Sequence, residues 1–265
     1  LIIDMLPQVR DRFDALIASG KLPLPLLPEV AAQVLAMVER PDCDARKLAE
    51  LLKRDPAMTA HVMQVAGSPM YASATKIVSL QQAIGRLGFA TIVQIAMVVA
   101  SKTRVFQLED FEPDIKAAFR HALATALYAQ EIARSRRSTV DSAFLAGLFH
   151  DFGQPVLLQA LVDLHRDAKV EPDHDEVMAA VDAAHAAVGG SLVESWRMPA
   201  TVAEAVRLHH TPQGSELATL VALADSFAHS APDQPLAASL NMYPEDVEAI
   251  ANKAADIDKA VEAIA

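Results

Sequence analysis

Cys43 is the only cysteine in this chain, which excludes an intramolecular disulfide framework and any multi-cysteine metal knot. A reducing compartment, the cytoplasm, is the expected setting. Basic residues are also in short supply: 23 Lys and Arg stand against 34 Asp and Glu, for a formal charge of -11. That balance argues against a general binder of phosphate backbones, which needs a basic face to displace counterions, so no nucleic-acid partner is expected. Long apolar runs are missing as well. The longest, Phe89 to Ala100, is interrupted by Gln94 and falls far short of the roughly 20 residues a membrane span requires. With no signal-peptide pattern at the start, no membrane association is expected. Glycine-rich phosphate loops, a Ser/His/Asp order and a nucleophilic cysteine setting are likewise not evident. The first residue is Leu1 rather than Met, as in a segment cut from a longer protein.

Helix-forming sequence is abundant. Hydrophobic residues make up 52% of 265 positions, enough for a sizeable core, and they recur every three or four residues with no sustained alternation. The expected fold is all-α, a multi-helix bundle preceded by a smaller helical subdomain. Residues 1–112 form that N-terminal subdomain in this reading, and 113–265 the larger one, with C-terminal helices over 235–265 that either join its core or form a docking arm. In the first half, helices are expected over 28–40 and 44–54, the second capped by Asp42 or Asp44. A third opens at Asp55-Pro56, with proline at the first helical position, and Gly67-Ser68-Pro69 ends it. Ser79 caps a fourth, which Gly88 separates from a fifth over 89–106. The acidic stretch from Gln107 to Pro113 is the expected junction. Beyond it, helices are expected near 113–135, 139–149, 155–166, 174–196, 199–209, 214–230 and 244–264.

Seven residues of the second half carry ligand chemistry: His121, His150, Asp151, His185, His209, His210 and Asp225. Neutral imidazoles and carboxylates suit Zn, Fe, Mn or Ni. The doublet His150-Asp151 directly follows the apolar run from Ala143 to Phe149, and burying such a pair demands a compensating partner. Successive residues of a helix point about 100° apart, so the two can reach one ion only where the helix ends. Gly153 and Pro155 are expected to supply that ending; a solvated helix terminus favouring His150 through the dipole is the alternative. His121 and His185 lie among small residues, where a lone histidine is more often a hydrogen-bonded core residue than a ligand. His209-His210 ends a helix just before Thr211-Pro212 and either serves two ions or faces solvent. Asp225 closes an apolar run from Leu217, so it needs a metal, an arginine or helix-end donors. His61, His165, His174 and His229 read as surface or packing residues, and Trp196 as an anchor for the turn that follows it.

The order His, His-Asp, His, His-His, Asp on successive helices resembles the HD superfamily of metal-dependent phosphohydrolases, including the HD-GYP cyclic-dinucleotide phosphodiesterases. Leu24-Pro25-Leu26-Leu27-Pro28-Glu29-Val30, Leu51-Leu52-Lys53-Arg54-Asp55-Pro56-Ala57-Met58 and the stretch from Ser79 to Gly88 look like the signature blocks of HDOD domains, the HD-related output domains. Phe144 to Asp151 and Ala205 to His210 fit the same family. The resemblance implies a bacterial regulatory module of signal transduction without catalytic turnover, acting through protein partners or by sensing a ligand such as a nucleotide. A metal-dependent phosphohydrolase acting on a nucleotide or cyclic dinucleotide is the alternative, and a structural metal-bound scaffold a third. The resemblance further implies one or two divalent ions (Fe, Mn, Zn or Ni). His121, His150, Asp151 and Asp225 would form a first site, and His185, His209 and His210 would complete a second. Three departures weigh against turnover. Gln154 stands where active HD-GYP proteins carry a lysine, Ala117 where some trinuclear relatives carry a glutamate, and Thr211-Pro212 follows the histidine pair with no GYP signature.

Overall fold

Short polar side chains cap the starts of several helices. In the computed structural model, Asp44 accepts from the Lys47 backbone N–H at 2.7 Å and Asp55 from that of Met58 at 3.0 Å, with Pro56 next in line. Ser79 accepts from Gln82 N–H at 3.2 Å, Asp173 from Glu176 N–H at 3.0 Å and Asp233 from Leu236 N–H at 2.8 Å. Each satisfies a donor that the first helical turn leaves open. The structure describes residues 6–25, 28–38, 40–68, 71, 77–102 and 108–264. Leu26, Leu27, Pro69 and Gln107 of the sequence motifs above lie outside them.

Among the described residues the elements are helices and no strand occurs. They run α1 (Pro7–Ser19), α2 (Glu29–Val38), α3 (Ala45–Leu52), α4 (Pro56–Gly67), α5 (Leu80–Lys102), α6 (Glu112–Ser135), α7 (Val140–Phe149), α8 (Gly153–Ala168), α9 (His174–Ser195), α10 (Ala200–Leu208), α11 (Glu216–Ala228), α12 (Gln234–Ser239), α13 (Pro244–Ala251) and α14 (Ala254–Ile264). The all-α expectation holds. Gly88 breaks α5 with φ 79° and ψ 162°, a left-handed φ that glycine adopts without a Cβ penalty; this is the separation expected there.

Two compact units emerge. One comprises Leu1–Pro25 with Arg104–Ala251, the other Leu26–Thr103 with Asn252–Ala265. The first 25 residues thus group with the later helices and the last 14 with the earlier ones. In the first unit α6 pairs with α7 and α11, α9 lies between α8 and α10, and α1 docks on α8. Its core includes Phe144, Phe149, Leu123, Ile132 and Leu148, all at most 2% exposed. In the second unit α5 is the hub for α2, α3 and α4, and α14 adds to α4.

Three elements differ from the sequence expectation. The first, α1, was not anticipated, although Pro7 at its first turn and Gly20 as a left-handed C-cap mark its ends, and it buries Val9 and Phe13. The short α12 was also missed. A single helix expected over 244–264 is two, because Asn252-Lys253 forms a turn and the Lys253 carbonyl starts a new helix by accepting from Asp256 and Ile257 N–H. The halves then serve different cores: Val247 and Ile250 in the first unit, Ile257, Ala260 and Val261 in the second. A further finding concerns Leu80–Val99, a 20-residue window of mean hydropathy 1.5 that is long and apolar enough to cross a membrane by length and composition. Gly88 kinks it, and Ala83, Ile84, Ile92, Ile95, Ala96 and Met97 are at most 1% exposed within the protein, as in a core helix.

Candidate metal centre

All seven of the residues singled out in the sequence lie together in the first unit. α7 ends at Phe149, so His150 and Asp151 occupy the turn before α8, where their side chains approach to 3.2 Å. His150 is 1% exposed, which disposes of a solvated terminus. Gly153 plays a different part from the one expected. It opens α8 rather than closing α7, and a Cβ placed on it would fall 2.0 Å from the His185 carbonyl oxygen and 2.8 Å from Gly189 N. α8 and α9 therefore touch backbone to backbone, which seats His185 beside Asp151. Gly147 does the same between α7 and α6, where a Cβ would lie 2.8 Å from Ala126 Cα. Trp196 supports the turn from outside, its indole N–H donating to the Pro25 carbonyl at 2.8 Å and its ring edge-on to Phe149 and Phe152.

The histidines are oriented by the backbone. Nδ1 of His150 lies 2.8 Å from Gly147 O, Nδ1 of His185 2.9 Å from Asp182 O, and Nδ1 of His209 2.7 Å from Val206 O. A carbonyl can only accept, so each Nδ1 carries a proton and each ring turns its Nε2, a lone pair whenever the ring is neutral, to the pocket. Those lone pairs converge. His185 Nε2 is 2.9 Å from His210 Nε2, 3.4 Å from His209 Nε2 and 3.2 Å from Asp151 Oδ1. His209 Nε2 is 3.5 Å from the same carboxylate oxygen, whose partner Oδ2 lies 3.2 Å from His150 Nε2. That last approach is outside hydrogen-bonding geometry, which leaves His150 Nε2 buried and without a hydrogen-bond partner. On the other side His121 Nε2 meets Asp225 Oδ1 at 2.8 Å, and the His121 ring centroid is 5.3 Å from that of His150.

Lone pairs facing lone pairs and carboxylates repel unless a positive charge lies between them, and the acid–base behaviour reflects this. Burial opposes the charged form of His150, but the Asp151 and Asp225 carboxylates outweigh it and push the pKa up to about 9. His185 is raised in the same way, Asp151 overcoming the cost of burial. Burial and the neighbouring His209 and His185 lower His210. Burial would raise both carboxyl groups, yet the charge of His150 and the imidazole hydrogen bonds hold Asp151 far below the usual range, and His121 and His150 lower Asp225. Without a cation, the pocket gathers protons in its place.

A pH dependence follows for the metal-free protein. His150 binds its proton more tightly folded than unfolded, so its contribution to stability is fully present below its ordinary value of 6.5 and is lost as pH rises to about 9. Asp151 and Asp225 act in the opposite sense, their contribution being present above 3.8 and lost only in stronger acid. In chelator, the melting temperature should therefore fall on going from about pH 6 to about pH 9. Saturating metal should reverse the slope, since a cation competes with those protons. A melting temperature in chelator that rises across this window would contradict the assignment.

The donors fall into three overlapping groups: Asp151, His185, His209 and His210; His121, His150 and Asp151; and His121, Asp225 and His229. Asp151 belongs to the first two, a bridging place that the sequence expectation gave to no residue of the second site. His229 was read from sequence as a surface or packing residue. The available signal was its spacing, four residues after Asp225 on one helix face.

The HDOD domain family matches residues 24–212. The chain belongs to the HDOD family. The crystal structure of a protein described as a candidate metal-dependent phosphohydrolase from Shewanella amazonensis superposes with a TM-score of 0.72 at 21% identity, covering 98% of each chain. A candidate signal transduction protein from Marinobacter aquaeolei gives 0.69 at 24% identity, covering 97% of this chain and 64% of that one. Both share the fold. An uncharacterised protein of Treponema pallidum is 23% identical over 197 residues, 71% of this chain and 37% of that protein; the chain thus spans little more than a third of the length of this curated relative. The HDOD match covers the doublet and the histidine pair but stops before Asp225, which reaches the same pocket from α11.

Proposed function

We propose that this HDOD domain is a metal-loaded regulatory module of bacterial signal transduction, reading out a ligand or partner rather than turning over a substrate. The observation that carries the metal is His150 Nε2, a buried nitrogen without a well-aligned hydrogen bond, aimed at Asp151 Oδ2 3.2 Å away. An unpaired buried polar atom is costly, and a cation would relieve it together with the facing lone pairs of His185 and His210. Asp151, His185, His209 and His210 would hold one ion, and His121, His150 and Asp225 a second, with Asp151 able to reach both. Two or three imidazoles with one or two carboxylates suit Fe, Mn, Zn or Ni. The lone cysteine fits a cytoplasmic protein.

Regulation rather than turnover is favoured by residue 154. Gln154 follows the doublet turn, its backbone N–H donating to the Asp151 carbonyl at 2.9 Å. Its side chain offers no positive charge to a phosphate, where the catalytic relatives place a lysine. Divalent ions at the pocket would contribute fixed positive charge and, in the second reading, Lewis acidity toward a phosphoester. That second reading, a phosphohydrolase for nucleotides or cyclic dinucleotides, is supported by the two overlapping donor groups, since paired ions serve that chemistry.

Elemental analysis of the purified protein should find about one to two transition-metal equivalents per chain. A panel of cyclic dinucleotides and nucleotides, with Mn or Fe added, should show no turnover. Metal with turnover would transfer the conclusion to the hydrolase, and absence of metal under loading conditions would overturn both. Q154K gaining hydrolysis would show that the phosphate clamp alone was missing.

A further inference from the structure

α11 ends one turn beyond Asp225, and His229 caps it. Its Nδ1 lies 3.1 Å from the Asp225 backbone carbonyl, which places the proton on Nδ1 and leaves Nε2 as the donor to an ion, and 3.1 Å from Asp225 Oδ1, the same oxygen that His121 Nε2 meets at 2.8 Å; the His121 and His229 rings are 4.4 Å apart. Two imidazoles on one carboxylate oxygen satisfy that oxygen, so hydrogen bonding alone would account for the pair in isolation. The surroundings say more. His121 continues inward to His150, whose buried Nε2 has no hydrogen-bond partner and lies 3.9 Å from Asp225 Oδ1.

Counting donors separates the two sides. The inner group of Asp151, His185, His209 and His210 already supplies the four ligands of a closed tetrahedral site. On the outer side His121 and Asp225 share a separate three-donor group with His229, which approaches from solvent: its side chain is 63% exposed, against 1% for His209.

Resting on the metal-loaded reading above, we propose that His229 is the mouth-side ligand of an outer divalent transition-metal site shared with His121 and Asp225. This site is weaker and faster to exchange than the inner one. Water reaches its exposed ligand, whereas His185 and His209 of the inner group are buried. The inner ion therefore loads first, and outer occupancy follows the free metal concentration.

Titration of the full chain with cobalt(II), by calorimetry and visible absorption, tests this. Two classes of site are expected in the parent protein. H229A should keep the tight class unchanged and weaken the other by at least about tenfold, the scale seen even for residues that only support a ligand. Nuclear magnetic resonance supplies the direct readout, since the His229 ring signals should shift and broaden with the second equivalent and not the first. An H229A isotherm superimposable on the parent, or a ring signal that ignores the second equivalent, would overturn the role of His229 while leaving the metal-loaded reading intact. Failure of the parent to bind any cobalt would remove that reading itself, and this inference with it. The exposure of His229 means that the variant should fold as the parent does.

Discussion

Asp151→Asn is expected to remove nearly all tightly held metal, with a loss of affinity of more than about 100-fold at the inner site. One carboxylate oxygen faces His185 and His209 and the other faces His150, so Asp151 is the negative charge common to both sides. Asparagine keeps the shape and removes the charge. The effect on the metal-free fold should be smaller than the about 3–5 kcal/mol that stranding a buried charge costs, because His150 can release its proton once Asp151 no longer holds it. The upward shift of His150 should shrink accordingly, and the fall in melting temperature between about pH 6 and about pH 9 should flatten. Elemental analysis after gel filtration, with circular dichroism to verify the fold, provides the measurement. A variant that retains the parent's metal content would remove Asp151 from the centre of the site.

Gly153→Ala should be the most damaging methyl group that could be added near the pocket. The new carbon would sit 2.0 Å from the His185 carbonyl oxygen and 2.8 Å from Gly189 N. Both are backbone atoms of α9, so relief requires the helices to separate. Overpacking usually costs about 1–3 kcal/mol, and a clash with backbone belongs at or above the top of that range, which corresponds to a fall of about 6–12 °C in melting temperature for a domain of this size. The same separation draws His185 away from Asp151, so metal affinity should drop with stability. Gly190→Ala is the control. Its Cβ would meet Arg207 Cγ at 2.2 Å, but that side chain can rotate, at the cost of its exposed ion pair with Glu194. Surface pairs of this kind are worth about 0–1 kcal/mol. Equal melting temperatures for Gly153→Ala and the parent would mean that the α8–α9 contact is not needed to build the site.

Much of this was legible in the chain itself. Helical periodicity, aspartates at helix starts and proline after Asp55 are local signals, and the helices, the caps at Asp44 and Asp55, and the break at Gly88 follow from them. Ligand chemistry is also local: an imidazole next to a carboxylate after an apolar run must be compensated, and His150 is buried beside Asp151 as that demands. Where periodicity misled, the cause was tertiary. One continuous helical pattern over 244–264 becomes α13 and α14 because its two halves bury their apolar faces in different cores.

The sequence by itself determined an all-α protein carrying seven residues with the chemistry of a metal centre. Only the tertiary structure decided that Asp151 stands between the two sides of the pocket, that His229 lies beside Asp225 and His121, and that Gly147 and Gly153 matter as places where helix backbones touch. The reason is geometric. Donor type and helix period are properties of neighbours along the chain, whereas convergence within about 3 Å, the scale of a hydrogen bond or a shared ion, depends on how closely helices distant in sequence approach, and at two of those contacts the approach rests on the absence of a Cβ, at Gly147 against α6 and at Gly153 against α9.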